Sequence, residues 1–276
     1  SNNKLRLPRF LHFDRLNSRN LAMTSKEKMN KLHRNNEQYF MKIEGPLIPA
    51  KFIERPNRFI TMIEINGDIH KSHLPDPGRL KELLLPGADL LVRPAPKRSE
   101  RKTKYSTVMV NHEGQLISLV SALPNRFVKE ALENNEIPIF KDYSLVRPEV
   151  TVGNHRFDFL LKDPNGSDFY LEVKSVTFVE NGVAQFPDAV TERGAKHALA
   201  LKNLLKEGKG AGILFACQRS DADSFRPMWE RDPKLANAVL DANNAGVKVW
   251  CITLNVSETD MTFHQEIPVN LELPNI

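Results

Sequence analysis

The stretch RFDFLLKDPNGSDFYLEVKSV, residues 156–176, limits the fold more than any other part of the chain. Apolar residues alternate on both sides of Asp163-Pro164-Asn165-Gly166, a turn signal, so the stretch reads as a β-hairpin. A hairpin centred on Asn165 pairs residues equidistant from it. Asp158 then lies opposite Glu172 on one face, with Cβ atoms roughly 5 Å apart. Lys174, two residues further, shares that face. Opposed carboxylates repel, and a sheet keeps such a pair when a cation sits between them, a divalent metal being the obvious candidate. Two carboxylates and a lysine around a hard cation are the equipment for hydrolysing a phosphodiester. A plainer reading stands beside this one. Arg156, Asp158, Tyr170, Glu172 and Lys174 also suit the solvated face of an amphipathic hairpin, with Arg156 and Lys174 neutralising the acids.

The order of elements around the hairpin bears on that choice. From residue 51 to about 122 the pattern is short strands. RFITMIEI turns at Asn66-Gly67 into DIHKSH, and DLLVRPA, KYSTVMV and QLISLVSAL follow. A short helix, LKELL, interrupts them and stops at Pro86-Gly87. Five strands in so short a span imply a small barrel of the oligonucleotide-binding type, with an SH3-like barrel as the alternative. After Pro124 the grammar changes to helix NRFVKEALENNEI, strand YSLVRPEVTVG, the hairpin, a helix over 188–207 and strand GILFACQR. A helix capped by Asp232, with Pro233 in its first turn and Gly246 beyond its end, leads to strand VKVWCITL. This αβββαβ order is that of restriction-endonuclease-like domains. The expected organisation is a basic leader at 1–40, a barrel at 41–122 and a nuclease-like domain at 123–276.

Charge is unevenly placed. Residues 1–40 hold nine Lys/Arg against three Asp/Glu, a net of +6, so the rest of the chain, at −1, does not contribute to the net charge of +5. The leader lacks a long apolar core and is not a secretory signal; an organellar transit segment is the alternative to a flexible basic leader. No apolar run approaches the roughly 20 residues of a membrane span. Cys217 and Cys251 sit in apolar strands without metal-ligand spacing and read as buried thiols, which fits a reducing cytoplasm. Gly208-Lys-Gly-Ala-Gly212 follows a helix and precedes a strand, the reverse of a dinucleotide fingerprint, and reads as a helix stop. With no phosphate loop, nucleophile elbow or HExxH, kinase, serine-hydrolase and zinc-protease readings lack support.

Further candidates are weighed against ordinary surface roles. Glu130, on the helix before the acidic strands, is a candidate extra metal ligand. Arg193, Lys196 and His197 share one turn at the start of the long helix and suit a phosphate. KRSERKTKY, residues 97–105, brings Arg98, Arg101, Lys102 and Lys104 beside Tyr105, a pattern that suits a nucleic-acid backbone with a stacking ring.

PxxGRL at 75–80, LLLPGADLLV, KRSERKTKY, LPNRFVKEAL, RFDFLL, YLEVKSVTF, FPDAVTERGAKH and NAGVKV together resemble the sugar fermentation stimulation protein A family from about Met41 to the C-terminus. EVKSVT followed by FPDAVTERGAKH is the most specific part. The resemblance implies an oligonucleotide-binding barrel joined to a restriction-endonuclease-like domain, DNA binding and a role in regulating sugar (maltose) metabolism. It implies Asp158, Glu172 and Lys174 as a nuclease-type triad, and it places Arg79 and Arg101 in barrel motifs. The usual P-N-T-G turn is Pro75-Asp76-Pro77-Gly78 here, and residues 1–40 have no counterpart.

The expected function is therefore a cytoplasmic DNA-binding protein with a Mg²⁺-dependent phosphodiesterase site, Mn²⁺ being an alternative ion and RNA an alternative substrate. Asp158, Glu172, the Val173 carbonyl and Glu130 would hold the ion, and Lys174 would handle the attacking water. The rival is a non-catalytic DNA-binding regulator of carbohydrate metabolism on the same fold. A sugar-binding regulator is disfavoured by the small number of Trp and Tyr. A homodimer is an open expectation.

Overall fold

Alternating polar and apolar residues build most of the chain into strands. The structure, a computed structural model, describes residues 39–96 and 100–273. Residues 1–38 of the predicted basic leader and Arg98 lie outside the described residues, while Phe40, assigned to that leader, opens a strand. In chain order the first strands are β1 (Phe40–Lys42), β2 (Ile48–Asn57), β3 (Ile60–Ile65), β4 (Asp68–His73), β5 (Asp89–Pro94), β6 (Tyr105–His112) and β7 (Gln115–Ser118). Helix α1 (Leu123–Asn134) precedes β8 (Ser144–Val152), β9 (His155–Lys162), β10 (Asp168–Val176), β11 (Phe178–Glu180) and β12 (Val183–Phe186). Then come α2 (Glu192–Lys206), β13 (Gly210–Cys217), β14 (Ser224–Pro227), α3 (Pro233–Asn244), β15 (Lys248–Val256) and β16 (Asp260–Ile267).

Strands β4, β3, β2, β5 and β6 pair in that order. The parallel contact of β6 with β4, Ser72 to Tyr105 and His73 to Ser106, closes them into a five-stranded barrel of the oligonucleotide-binding type. Its interior holds Phe52, Ile63, Leu74, Leu80, Leu83 and Val92. The SH3-like alternative does not describe this closure. The segment LKELL is a turn, not a helix. Leu80 adopts φ +51°, and Leu83 and Leu84 both donate to its carbonyl, which drives three leucines into the barrel core within one turn. Strand β2 carried too few alternating residues to be predicted.

The second sheet is mixed, in the order β1-β16-β15-β13-β10-β9-β8. Met41, expected at the opening of the barrel, instead lies on β1 and pairs with Met261 of this sheet. Helix α1 packs on one face through Phe127, Val128 and Ala131, together with Val108 and Met109 of the barrel. Helices α2 and α3 cover the other face through Leu201, Leu204, Leu235 and Val239. The αβββαβ order marks this as the restriction-endonuclease-like fold. A small sheet, β11-β12-β14, was not foreseen. Helix α2 starts at Glu192 rather than 188, because the Thr191 side chain is its N-cap and accepts from Gly194 N–H. Helix α3 has the predicted Asp232 cap. Its carboxylate also accepts from Thr191 N–H, which ties the two helix starts together.

Gly208 ends α2 at φ +74°, as read, but Gly210 and Gly212 serve another purpose. They lie on β13, where the rings of Phe169 and Trp250 cover the strand. A Cβ on Gly212 would come within 2.6 Å of Trp250 and 2.9 Å of Phe169. Gly212→Ala should overpack this layer and cost about 1–3 kcal/mol. Thermal unfolding should show a melting point several degrees lower, and an unchanged one would mean the rings move aside freely.

Candidate functional site

Antiparallel pairing of β9 with β10 runs from Lys162–Asp168 to Phe159–Leu171, the register expected for a hairpin centred on Asn165. The ladder stops one pair short of Asp158 and Glu172. Phe159 faces the α1 side, yet Phe157 faces the α2 side, although a regular strand puts both on one face. Asp158 sits at this change of face. On β8 the residue between the pairs Pro148–Phe159 and Val150–Phe157 is Glu149, at φ +50°. That left-handed backbone in a non-glycine residue twists the edge at the level of Asp158.

The twist turns the Asp158 carboxylate into the gap. Its Oδ2 accepts from Val173 N–H at 2.7 Å, and its Oδ1 accepts from the Asn125 side-chain amide at 2.9 Å. A strand residue points its N–H and C=O to the same edge, so the Val173 carbonyl faces the gap as well. Glu172 is 3% exposed. Its Oε1 accepts from Lys174 Nζ at 2.6 Å and meets His197 Nδ1 at 2.5 Å. Its Oε2 is buried and has no hydrogen-bond partner among the described residues. Arg193 Nε donates to His197 Nε2 at 3.4 Å, so the imidazole hydrogen lies on Nδ1 and is donated to Glu172.

This burial sets the proton affinities. Burial and then the charge of Glu172 push the Asp158 carboxyl up to about 6, against the Val173 N–H, Lys174 and Asn125. Burial also raises Glu172, but the bond from His197 and the charge of Lys174 outweigh it and hold the carboxyl below its ordinary value. Arg156 takes no part. Its partner is exposed Glu149, 4.0 Å away. Tyr170 and Glu172 on this face are buried and Asp158 and Lys174 half-buried, so the face is not the solvated surface of the plainer reading, although Lys174 does pair with Glu172.

Asp158, Glu172, Val173 and Lys174 line a cleft of about 500 Å³. The barrel adds Arg58, Asp76 and Gly78 to the lining, and the loop before α2 adds Asp188. Asp188 accepts from Leu80 N–H at 2.6 Å and pairs with Arg231 at 2.9 Å, which fastens barrel to nuclease-like domain. Asp76 is buried and accepts from Gly78 N–H; burial and the nearby Asp188 charge raise its carboxyl above the ordinary value. Among the described residues no three His, Cys, Asp or Glu side chains gather as a metal cluster. The donor set at the cleft floor is two carboxylates and a carbonyl. That suits Mg²⁺, which takes one or two carboxylates and keeps several waters, and the orphaned Glu172 oxygen is the atom such an ion would satisfy.

The other predicted residues separate. Arg193 lines the cleft, whereas Lys196 is exposed and lies outside its lining. Glu130 is removed from the site. It accepts from the Tyr39 hydroxyl and pairs with Arg126 at 3.0 Å. Five residues separate it from Asn125, about 140° around the helix, so α1 offers the cleft an amide instead of an acid. Arg79, Lys102 and Lys104 are exposed on the barrel, away from the cleft lining. Arg101 bonds Ser106 Oγ at 3.0 Å. Tyr105 is half-buried and packs against His70, ring centroids 5.2 Å apart. Sequence reasoning missed Asn125, Asp188, Arg55 and Arg58. The first two lie in the quoted motifs LPNRFVKEAL and FPDAVTERGAKH, and nothing in the sequence marked the arginines.

Fold and cleft define a class of protein: an oligonucleotide-binding barrel fastened to a restriction-endonuclease-like domain. The family model for the sugar fermentation stimulation protein RE domain matches residues 122–260, and that for the SfsA N-terminal OB domain matches residues 53–119. The chain is 44% identical over 232 residues to a sugar fermentation stimulation protein homolog of Acetivibrio thermocellus, covering 83% of this chain and 99% of that one. A homolog from Clostridium tetani is 40% identical over 222 residues, covering 80% and 96%. A solved structure of Pyrococcus furiosus SfsA in complex with Ca²⁺ is similar with a TM-score of 0.75 and 27% identity, over 83% of this chain and 98% of that one. The chain belongs to the sugar fermentation stimulation protein family.

A pH dependence follows from the carboxylates. Without metal, Asp158 sits at about 6 when folded against 3.8 ordinarily. Between these values the folded state holds more protons than the unfolded one, so this group's contribution falls as pH rises from about 4 to 6, by about 3 kcal/mol. Glu172 has the opposite sign. Its stabilisation is present above its ordinary value of 4.5 and is lost as pH falls through the depressed folded value. Asp158→Asn removes the charge at nearly constant shape, and Asn125 can turn its amide round to accept. In EDTA this variant should melt above wild type at pH 7, with the difference gone near pH 4. A variant melting lower at pH 7 would make the carboxylates a structural network held by Lys174 and His197.

Proposed function

We propose that the protein is a divalent-metal-dependent phosphodiesterase acting on nucleic acid, DNA first, in the cytoplasm. The buried, unpartnered Glu172 Oε2 beside a second, half-buried carboxylate whose proton affinity is raised carries this reading. Asp158, Glu172 and the Val173 carbonyl would hold Mg²⁺ or Mn²⁺, and the Ca²⁺ in the Pyrococcus furiosus relative supports a divalent ion. A bound cation of this kind supplies Lewis-acid stabilisation of charge on the phosphate.

The remaining roles belong to the protein. Asn125 and Val173 N–H hold the Asp158 carboxylate in one orientation, and His197 does the same for Glu172. Lys174 Nζ, anchored on Glu172, orients the attacking water and shares its proton. Arg193 and Arg58, which both line the cleft, would meet phosphate oxygens. The barrel loop with Arg101, Lys102 and Lys104 extends the contact along the backbone. The buried free thiols Cys217 and Cys251 suit a reducing compartment. No helix of the described residues is long and apolar enough to cross a membrane.

A second reading has its own observation. Lys174 and His197 already answer Glu172 without a metal, as expected of a DNA-binding regulator of sugar metabolism that kept the fold. Cleavage assays with Mg²⁺ and Mn²⁺ separate the two. Asp158→Asn and Lys174→Ala should each lower cleavage at least about a hundredfold while DNA binding in EDTA persists. Wild-type protein that binds DNA and cleaves none with either ion would leave the regulator.

A further inference from the structure

Phe59 is 46% exposed on the turn between β2 and β3, and its neighbour Arg58 lines the same cleft as the carboxylates. The Arg58 guanidinium lies over the Phe59 ring, 5.0 Å from its centroid. A single exposed apolar side chain ordinarily needs no explanation. This one stands on a turn that is unusually well fastened. Asn57 Oδ1 accepts from Phe59 N–H, and the Phe59 carbonyl accepts from Leu74 N–H. Arg55 donates to the carbonyls of Arg58, Asp76 and Arg79 at 2.8, 3.2 and 2.6 Å. Its Nε is buried without a partner among the described residues, and burial lowers its proton affinity. A partly buried guanidinium is thus committed to holding Arg58 and the Asp76–Arg79 loop in place along one wall of the cleft.

The loop before α2 is fixed as well. Asp188 bonds Leu80 N–H, and a Cβ on Gly78 would lie 2.9 Å from Asp76 Oδ1 and 3.1 Å from Asp188 Oδ2, so the walls meet closely there. The resulting cleft of about 500 Å³ has the size of a site for one small molecule, roughly 300–1,000 Å³. A B-form duplex, whose major groove alone is about 12 Å wide, can offer such a volume only a backbone phosphate and not a base. A single strand can offer both. Its bases have π-faces for the side of the Phe59 ring that Arg58 leaves free, next to the cleft, and its phosphates suit Arg58 and Arg193, which both line it.

We propose that Arg58 and Phe59 form a stacking clamp that admits single-stranded nucleic acid to the cleft and excludes duplex. This rests on the nucleic-acid reading of the site above and names the form of its substrate; it does not require that the strand be cut.

Binding measured without metal tests it. Fluorescently labelled oligo-dT and a blunt duplex of the same length would be titrated in EDTA at fixed salt with the full chain. Wild type should favour the single strand by at least about tenfold. Phe59→Ala should lose about tenfold of single-strand affinity, and Phe59→Trp should keep it, with duplex affinity and melting temperature unchanged in both. Arg58→Ala should lose affinity for the single strand and flatten its salt dependence by about one phosphate contact. Equal wild-type affinity for both forms, or a folded Phe59→Ala that binds the single strand as wild type does, overturns the clamp and leaves the phosphodiesterase reading standing. Clamp-dependent binding in a protein that cleaves nothing overturns the phosphodiesterase and leaves the clamp. A wild type that binds neither oligonucleotide overturns both.

Discussion

The hydrogen bond from Val173 N–H to the Asp158 carboxylate is the constraint on which the site depends. In a continuing ladder that N–H would go to a carbonyl of β9. Here the side chain takes it, the strands part, and the Val173 carbonyl is turned to the same gap. The left-handed Glu149 on the neighbouring strand supplies the twist. Asp158 is thereby held, half-buried, close enough to Glu172 for that charge to raise its proton affinity. An arrangement that raises one buried carboxyl and leaves an oxygen of the other orphaned is unfavourable for folding alone. Such local costs cluster where a ligand relieves them.

Two further networks keep that gap in shape. His197 bonds Glu172 from α2, with Arg193 fixing its tautomer. Asp188 joins Leu80 of the barrel to Arg231 of the nuclease-like domain. The cleft therefore belongs to neither domain alone: its floor comes from β9 and β10, one wall from the barrel turns and the other from the start of α2. Loss of Asp188 would leave the partly buried Arg231 without its carboxylate and free the barrel wall, so a change remote from the carboxylates reaches the site through two bonds.

Much of this was legible in the sequence because it is local. The hairpin register followed from a turn at Asn165 and alternating side chains, and the α3 cap followed from Asp232 before Pro233. Details that depend on distant partners were not. LKELL has helix-forming residues, but the barrel interior takes three of its leucines in a single turn. Residues 188–190 look like the start of a helix, yet Asp188 is held by Leu80 and Arg231, so the cap passes to Thr191. Glu130 was the attractive acid on α1, but the rotation of the helix presents Asn125 instead. Tyr105, the expected stacking ring, is half-buried against His70. The exposed ring near the cleft is Phe59, on a turn whose position is set by Arg55 from within the barrel.

The central claim is that Asp158 and Glu172 are buried together to share a divalent ion. Crystals soaked in Mn²⁺ and measured at its absorption edge test it most directly. The account predicts one anomalous peak at the cleft floor, roughly 2.0–2.6 Å from an Asp158 oxygen, Glu172 Oε2 and the Val173 carbonyl. A cleft with no peak at millimolar Mn²⁺, and Lys174 still seated on Glu172, would contradict it.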